Sequence, residues 1–339
     1  MDRKIKNFHE GHNDDFLYYN IRQYNGDDTK SVPVSINFSR NQVFIDKSDD
    51  YKFTVEKFVI PSTNIPILML TPNKYSVTLS YNGDNYQTFL VWTSNNPDPD
   101  QQYYVWTYNE FLVALNNALL ASYNALLIAH PGVTTAVPFV LFNPVTQLFT
   151  LYAKVGEYFP QTINGVKISF NTKLFYLYQS FENIGNGFNS PNGTNFTIMV
   201  VDRKTNTEII SATSYFAMVQ DFITLAQFNE FISIVFETNM FPVRSEYVAS
   251  ETGNSEIIKV LTDFNPVLYD ENISNRTYLQ YIPTLHRWYD ITSSNSLTNV
   301  DLYVYWTTAN GSKYPLKLFP GDYLTIKLQF RKKNIQSEK

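Results

Sequence analysis

The chain has 339 residues, no cysteine and a formal net charge of −5. The absence of cysteine excludes disulfides, thiolate metal sites and cysteine nucleophiles, and the acidic balance argues against a protein that binds nucleic acid over its whole surface. Charged residues make up 17% of the chain and aromatic residues 16%, whereas an ordinary soluble domain is about 25% charged. This composition suits a large β core or a surface covered by neighbouring subunits, because interfaces favour aromatic residues over Lys, Asp and Glu.

Both ends of the chain are predicted to be flexible. Residues 1–30 are polar and charged without hydrophobic periodicity, and such a segment buries too little apolar surface to offset its ordering entropy. They start basic but lack the apolar core of a signal peptide. No stretch approaches about 18 uninterrupted apolar residues, so we predict no membrane span. We expect an N-terminal arm over 1–30 and a short tail over 334–339.

The segment that follows the arm is predicted to be β. Residues 32–38 alternate apolar and polar side chains, as a half-buried strand does. Residues 43–45 are a shorter candidate. Residues 51–60 form a stronger strand that ends before Pro61, because proline cannot donate to a sheet ladder.

A different pattern fills residues 75–220 and predicts an α+β unit. Thr107 and Glu110 have the spacing of a capping box, which begins a long helix over 108–129. The predicted polar face of that helix consists of Asn109, Glu110, Asn116, Asn117 and Asn124. The other predicted elements are a type I′ hairpin with strands at 75–81 and 86–92, a loop at 95–100, a hairpin at 139–142 and 148–153, a strand at 166–170, a short helix at 172–181 and a third hairpin at 196–201 and 207–210.

The last third returns to a β pattern of short segments about ten residues apart, which is typical of a sandwich or jelly roll. The predicted strands lie at 231–237, 257–264, 278–282, 287–291, 300–306, 314–318 and 323–330. Together with the early strands they predict a mainly β fold, a single eight-stranded antiparallel jelly roll interrupted by an inserted α+β domain. The predicted domains are a discontinuous jelly roll over 31–74 and 221–333 and the insertion over 75–220.

Few residues carry candidate chemistry. His9 and His12 fall in the predicted arm, and His130 closes the helix, where a cation suits the helix dipole. Asp98 and Asp100 sit in a Pro-Asp-Pro-Asp loop without the glycine and spacing of a calcium loop. Asp27, Asp28, Asp49 and Asp50 are interpreted as turn residues or solvated charges.

Two polar clusters remain open in function. His286-Arg287-Trp288-Tyr289-Asp290 offers a base with a carboxylate, but no nucleophile elbow of the G-x-S-x-G type accompanies it. Arg331-Lys332-Lys333 offers an electrostatic contact with nucleic acid, and a solvated tail explains it as well. We therefore assign no catalytic, cofactor-binding or metal-binding residue and expect no cofactor.

Spaced aromatic and turn residues carry a resemblance to a known family. The order of these segments along most of residues 50–330 resembles the minor capsid (penton) proteins of virophages and Polinton-like viruses. The segments that carry it are 55–61, 65–67, 115–119, 241–246, 261–264, 281–283, 287–291, 300–306, 311–316, 320–321 and 326–330.

The resemblance implies a non-enzymatic virion protein, a penton subunit whose homopentamers close the fivefold vertices of an icosahedral capsid. It implies that a double-jelly-roll major capsid protein surrounds each vertex and that assembly takes place inside the host cell. The resemblance does not extend to residues 1–30, for which a contact with other minor capsid proteins is one open role. Two alternatives stay open from the residues alone. One is a receptor- or glycan-binding jelly-roll adaptor or fibre protein, and the other, ranked third, is a glycan-active enzyme with paired carboxylates.

Overall fold

In the computed structural model the chain forms two compact units, one of residues 1–65 with 231–339 and one of residues 66–230. The structure describes residues 16–39, 43–91, 103–158, 165–184, 195–201, 206–249, 255–265, 278–309 and 311–333. The predicted loop at 95–100, the tail at 334–339 and residues 1–15 of the predicted arm lie outside these ranges.

The first unit begins with four strands. They are β1 (Phe16–Tyr24), β2 (Val32–Pro33), β3 (Ser35–Ser39) and β4 (Tyr51–Pro61).

The second unit has two helices and ten strands among its described residues. Its elements are β5 (Leu68–Leu70), β6 (Ser76–Tyr81), β7 (Asp84–Phe89), β8 (Tyr103–Val105), α1 (Tyr108–Ala129), β9 (Phe139–Asn143), β10 (Leu148–Lys154), β11 (Lys167–Asn171), α2 (Thr172–Leu177), β12 (Asn195–Thr197), β13 (Thr207–Ile210) and β14 (Thr213–Val219).

The chain then returns to the first unit. The remaining strands are β15 (Ser233–Glu237), β16 (Glu246–Ala249), β17 (Ser255–Ile258), β18 (Val260–Phe264), β19 (Tyr278–Tyr281), β20 (Tyr289–Asp290), β21 (Asn299–Thr307), β22 (Lys313–Pro315), β23 (Lys317–Leu318) and β24 (Tyr323–Lys332).

The first unit is a jelly roll, as predicted. One sheet has the order β1-β24-β4-β19, with β20 also pairing with β4, and the other has the order β18-β15-β21-β22, with β3 also pairing with β21. The two sheets share eight principal strands, in chain order β1, β3, β4, β15, β18, β19, β21 and β24. The first pairs with the last, the second with the seventh, the third with the sixth and the fourth with the fifth, all antiparallel. This is a long hairpin rolled up on itself, the double Greek key of a jelly roll.

Aromatic side chains fill the space between the two sheets. The rings of Phe53 and Phe241 pack edge to face at 4.5 Å, and those of Phe58 and Phe236 at 5.0 Å. All four side chains are buried, and each such burial stabilises the fold by roughly 2–3 kcal/mol. The high phenylalanine content is thus partly explained by this core.

The flexible arm predicted over 1–30 is wrong for the residues that the structure describes. Residues 16–24 form β1, which pairs with β24 over its whole length, from Phe16 opposite Arg331 to Tyr24 opposite Tyr323. Only Ile21 of this strand is fully buried, as in an edge strand, although six of its nine residues are Phe, Leu, Tyr or Ile. Such β-prone residues were a local signal of a strand that the prediction of a flexible arm overlooked. The ladder partner is about 300 residues away in sequence, and local composition carries no signal of it.

The second unit packs α1 against two four-stranded sheets. Their orders are β13-β14-β10-β9 and β12-β11-β6-β7. The capping box of Thr107 and Glu110 is present, and the helix runs over the predicted residues. The side chains of Phe111, Phe149 and Phe228 meet in its core, with ring centroids 5.3 Å apart for Phe111–Phe228 and for Phe149–Phe228.

Asn116 departs from the predicted solvent face of α1. Its amide accepts from the backbone N of Val140 at 2.8 Å and donates to the backbone O of Val140 at 2.9 Å. Val140 lies on the edge strand β9, so the asparagine supplies the two hydrogen bonds that a further strand would make there.

The third predicted hairpin is also wrong, because its two strands lie in different sheets. β12 pairs with β11, whereas β13 pairs with β14 through a tight turn at Ser211 and Ala212. Both turn residues have positive φ (48° and 65°), as a type I′ turn requires. Without Gly or Asn at these positions the turn has no sequence signal.

The second unit is inserted between β4 and β15, and its ends lie side by side. The backbone N of Glu230 donates to the O of Ile67 at 3.0 Å. The limits at 66 and 230 are wider than the predicted 75 and 220, because β5 pairs with β8 and because the Glu230 carboxylate accepts from the backbone N of Met69 at 3.1 Å.

We predict that a short Gly/Ser linker in place of residues 66–230 leaves a folded jelly roll, because the entry and exit of the insertion are joined by a hydrogen bond. Circular dichroism and thermal unfolding of this variant should show a β spectrum and one cooperative transition. A spectrum without a cooperative transition would show that the jelly roll depends on the insertion.

We also predict that two N-terminal truncations differ sharply. Removal of residues 1–15 should leave the melting temperature nearly unchanged. Removal of residues 1–24 deletes β1 and exposes the backbone of β24, so the protein should lose cooperative unfolding or aggregate through the free edge. Equal melting temperatures for the two truncations would show that β1 contributes little to the jelly roll.

Candidate interaction surfaces

The cluster at 286–290 is not arranged as a base with its carboxylate. The ring of His286 stacks on Trp288 with centroids 6.1 Å apart. The Asp290 carboxylate lies 3.2 Å from Nζ of Lys333 instead. The structure therefore does not bring together the base and the carboxylate that sequence analysis considered.

Arg287 of the same cluster joins three strands of the jelly roll. Its guanidinium pairs with Glu246 of β16 and lies 3.3 Å from Oδ1 of Asp263 in β18. It also lies over the ring of Tyr289, 5.0 Å from the centroid. Burial raises the pKa of the Tyr289 phenol, so the phenol stays protonated and donates to Glu246 at 3.3 Å. This network holds the β16–β17 hairpin against the strands beside it.

The other candidate polar residues have structural roles or lie outside the described ranges. The described ranges do not include His9, His12, Asp98 or Asp100. Nε2 of His130 is 3.0 Å from Oδ2 of Asp84, and its backbone N donates to Leu126 O at the end of α1. Within the described ranges, no group of three or more His, Asp and Glu side chains is placed to hold a metal ion.

The acidic pairs considered at sequence level belong to turns. Oδ1 of Asp27 accepts hydrogen bonds from the backbone N of Thr29 and of Lys30, and these bonds lower the pKa of the Asp27 carboxyl. Asp49 and Asp50 lie in a short 3-10 turn before β4. Both pairs thus lie where the chain bends, and Asp27 stabilises its turn through these bonds.

Of the part of the chain that the structure describes, α1 alone is long and apolar enough to cross a membrane by length and composition. Its side chains at 111, 112, 114, 115, 118, 119, 122 and 126 are buried inside the second unit. The core of that unit therefore accounts for the apolar content of α1. The absence of a membrane span stays a prediction.

An exposed apolar pair lies on the β16–β17 hairpin, which forms a two-stranded sheet of its own. Tyr247 and Ile257 are directly opposite each other, and they are 79% and 63% exposed. Between β19 and β20 the chain leaves the sheet, and there Ile282 and Leu285 are also exposed, Leu285 by 87%. We call Tyr247, Ile257, Ile282 and Leu285 the apolar rim of the first unit.

A buried carboxylate positions the turn that leads into this hairpin. Asp301 of β21 is 1% exposed. It accepts hydrogen bonds from the hydroxyl of Thr238 and from the backbone N of Asn239, Met240 and Phe241, the last three at 2.7–3.1 Å. Asp301 is not among the residues predicted from the sequence, although an aspartate inside the apolar run 300–306 is a signal for it.

Arg331, Lys332 and Lys333 do not form a tail. Arg331 and Lys332 are the last residues of β24, and the backbone N of Lys333 donates to Asp50 O at 2.7 Å. The basic cluster is therefore held on the sheet that contains β1, β24 and β4.

Comparisons with known proteins agree on one group. The model of a family described as Sputnik minor capsid protein V18/19 matches residues 17–332. Structural protein V19 of Sputnik virophage is 30% identical over 205 residues, which cover 57% of this chain and 94% of that protein.

Two solved structures are similar over nearly the whole chain. A chain of the Sputnik virophage particle, solved by cryo-EM, has a TM-score of 0.68 at 26% identity and covers 95% of this chain and 99% of its own. The mavirus penton protein has a TM-score of 0.62 at 19% identity, with 93% and 99% covered. At that identity the second likeness concerns the fold alone.

We predict that Asp301→Ala lowers the free energy of unfolding by about 3 kcal/mol, because it leaves several buried donors without an acceptor. Asp290→Ala is the matched control. That carboxylate is mostly exposed and pairs with Lys333 at the surface, so its loss should cost less than about 1 kcal/mol. Urea unfolding of both variants measures the difference, and equal losses would contradict the role given to Asp301.

Proposed function

Because the chain belongs to the family of the Sputnik minor capsid protein V18/19, it is a structural protein of the virion, and we propose that it is the penton subunit, a non-enzymatic protein that closes the fivefold vertices of an icosahedral capsid as a ring of five. The observation that carries the proposal is the family match over residues 17–332, which spans both units. The complete jelly roll of the first unit supports it. The receptor- or glycan-binding adaptor is not favoured by these relatives.

The ring needs a contact between two different faces of neighbouring subunits, since five copies related by rotation meet head to tail. We place the apolar rim in that contact. Its four large side chains are exposed in the isolated chain, and exposed apolar side chains at the centre of an interface contribute most of its stability.

The charges beside the rim are compatible with burial. Arg287 already pairs with Glu246 and Asp263, so association does not leave its guanidinium without a carboxylate. Removing charges from water is costly unless they are paired in this way. The free edges of the two-stranded β16–β17 sheet also offer backbone groups to a neighbouring strand.

The surroundings of the ring follow from the same proposal. The chain assembles with other capsid proteins in the virion, and we propose that a double-jelly-roll major capsid protein encloses each pentamer. The proposed contact of the N-terminal segment with other minor capsid proteins involves residues 1–15, because residues 16–24 are taken up by β1.

We predict that native mass spectrometry of the full chain detects five copies of the 39.3 kDa subunit. Tyr247→Ser combined with Ile257→Ser should shift the population to monomers, since loss of each anchor costs about 2 kcal/mol. Ile209→Ser and Val145→Ser, which are equally exposed but lie in the second unit, are the matched control and should leave the pentamer intact.

A density map of the assembled particle decides the proposal. The chain should occupy the fivefold vertices, each ring bordered by a different capsid protein. A position on the threefold or twofold faces would overturn the penton assignment, and trimers in projecting fibres would favour the adaptor alternative.

A further inference from the structure

We propose that the outer face of the sheet formed by β1, β24 and β4 binds duplex nucleic acid through its phosphates, without base preference. In β24 the side chains of Leu324, Ile326 and Leu328 are buried toward the core, so the odd-numbered side chains from 323 to 333 face outward. We call the charged side chains on this outer side the basic face. It consists of Arg22, Lys52, Lys57, Lys327, Arg331 and Lys333, with Glu56 and Asp290 as its carboxylates.

The basic face contrasts with the rest of the chain. It carries six cations and two carboxylates, although the whole chain has a net charge of −5. The rest of the molecule therefore repels a polyanion, while this face attracts it. Such an asymmetry orients the bound polymer on one side of the protein.

Two pairs of cations lie directly opposite each other across β4 and β24. Lys52 is the register partner of Arg331, and Lys57 is the partner of Lys327. Like charges in such positions destabilise a sheet. Glu56 partly compensates the second pair, with its Oε2 3.2 Å from Nζ of Lys327, and Asp290 is the register partner of Lys52 in the first pair. Folding alone does not favour two like-charged pairs on one face, whereas a bound phosphate chain would stabilise both.

The cations on β1 and β24 are held in place by aromatic rings. Arg331 lies over Phe16 at 5.3 Å, Lys327 over Tyr18 at 4.1 Å, and Arg22 over Tyr323 at 4.1 Å. A ring beneath a cation positions it and leaves its charge intact. The three pairs form a row along the two strands.

This arrangement favours a duplex over a membrane or a single strand. A membrane-binding face presents exposed Trp, Phe or Leu side chains, but the exposed large side chains of β1 and β24 are the tyrosines Tyr18 and Tyr24. A single strand binds by stacking its bases on several open rings, whereas here Phe16, Tyr18 and Tyr323 lie under cations and Tyr24 remains as an exposed ring at the end of β1. Of these modes of binding, contact between the cations and the phosphates of a duplex fits the face best.

The dimensions of the basic face also fit a duplex backbone. Arg331 and Lys327 are four residues apart on β24, and Arg22 is opposite Thr325, two residues further. At about 3.3 Å per residue this row is roughly 20 Å long. Each strand of a duplex winds around the axis once in about 34 Å, so the three cations of this row contact about three phosphates where the backbone passes the face.

The test is titration of the full chain with a fluorescent 30-base-pair DNA duplex of random sequence, at several salt concentrations. We expect binding that weakens as salt rises and that is the same for a second random sequence. Arg22→Gln, Lys327→Gln and Arg331→Gln in one variant should weaken binding at least tenfold. The slope of log K against log salt should fall by about 2 to 3, since each phosphate contact contributes about 0.9.

A matched variant carries Lys167→Gln, Lys173→Gln and Arg244→Gln. These three cations are exposed and are not members of the basic face, so this variant has the same net charge as the first triple variant and should bind as the parent does. Because loss of the ring contacts lowers stability, Arg22→Lys with Arg331→Lys is made as well, and it should keep most of the affinity. Glu56→Gln removes a carboxylate from the face and should tighten binding.

Each other outcome overturns the proposal. Equal affinity of the two triple variants would show that the basic face is not the site. Binding to vesicles with 30% phosphatidylserine but not to the duplex would identify a membrane contact instead. Tighter binding of a single-stranded 30-mer would refute the duplex. These measurements use the isolated chain, so their result does not depend on whether it forms rings.

Discussion

The pairing of the first described strand with the last one closes the jelly roll. β1 and β24 align over nine residues, and β24 pairs on its other side with β4 over nearly its whole length. This arrangement joins residues near the two chain ends and buries Ile21, Ile326 and Leu328 between the sheets. The two sheets, the position of the basic face and the cation–aromatic row all depend on this register, since a shift of one residue would turn every side chain of β1 to the opposite side.

The closed jelly roll leaves its connections free to vary. One connection, between β4 and β15, holds the whole second unit, with its own aromatic core around Phe149 and Phe228. Another, between β15 and β18, holds the β16–β17 hairpin, whose start is set by Asp301. Insertions are tolerated where the ends of the inserted segment are close, and the bond between Ile67 and Glu230 meets that condition.

The polar residues of the first unit form networks that position strands. Arg287 connects Glu246, Asp263 and Tyr289, and Asp301 orders a turn. A capsid subunit needs fixed surfaces that match its neighbours, and charges that are already paired are buried at lower cost when subunits meet.

The sequence by itself determined the elements whose signals are local. The capping box began α1 at the predicted residue, Asn82-Gly83 marked the first hairpin, and short apolar segments rich in β-branched and aromatic residues located β4 and β21. The order of aromatic and turn residues also pointed to the family, and hence to the jelly roll. Only the tertiary structure decided the rest. β1 belongs to the jelly roll because β24 lies beside it, and the Ser211–Ala212 turn is tight because β13 and β14 align. Asn116 is half-buried because its amide bonds the backbone of the edge strand β9. The six cations come from three separate segments of the sequence, at 22, 52–57 and 327–333, and form one face only through the register of three strands. The entropy lost when two distant segments pair is offset by their joint burial. No local window of the sequence contains both partners, so the sequence alone does not reveal the pairing.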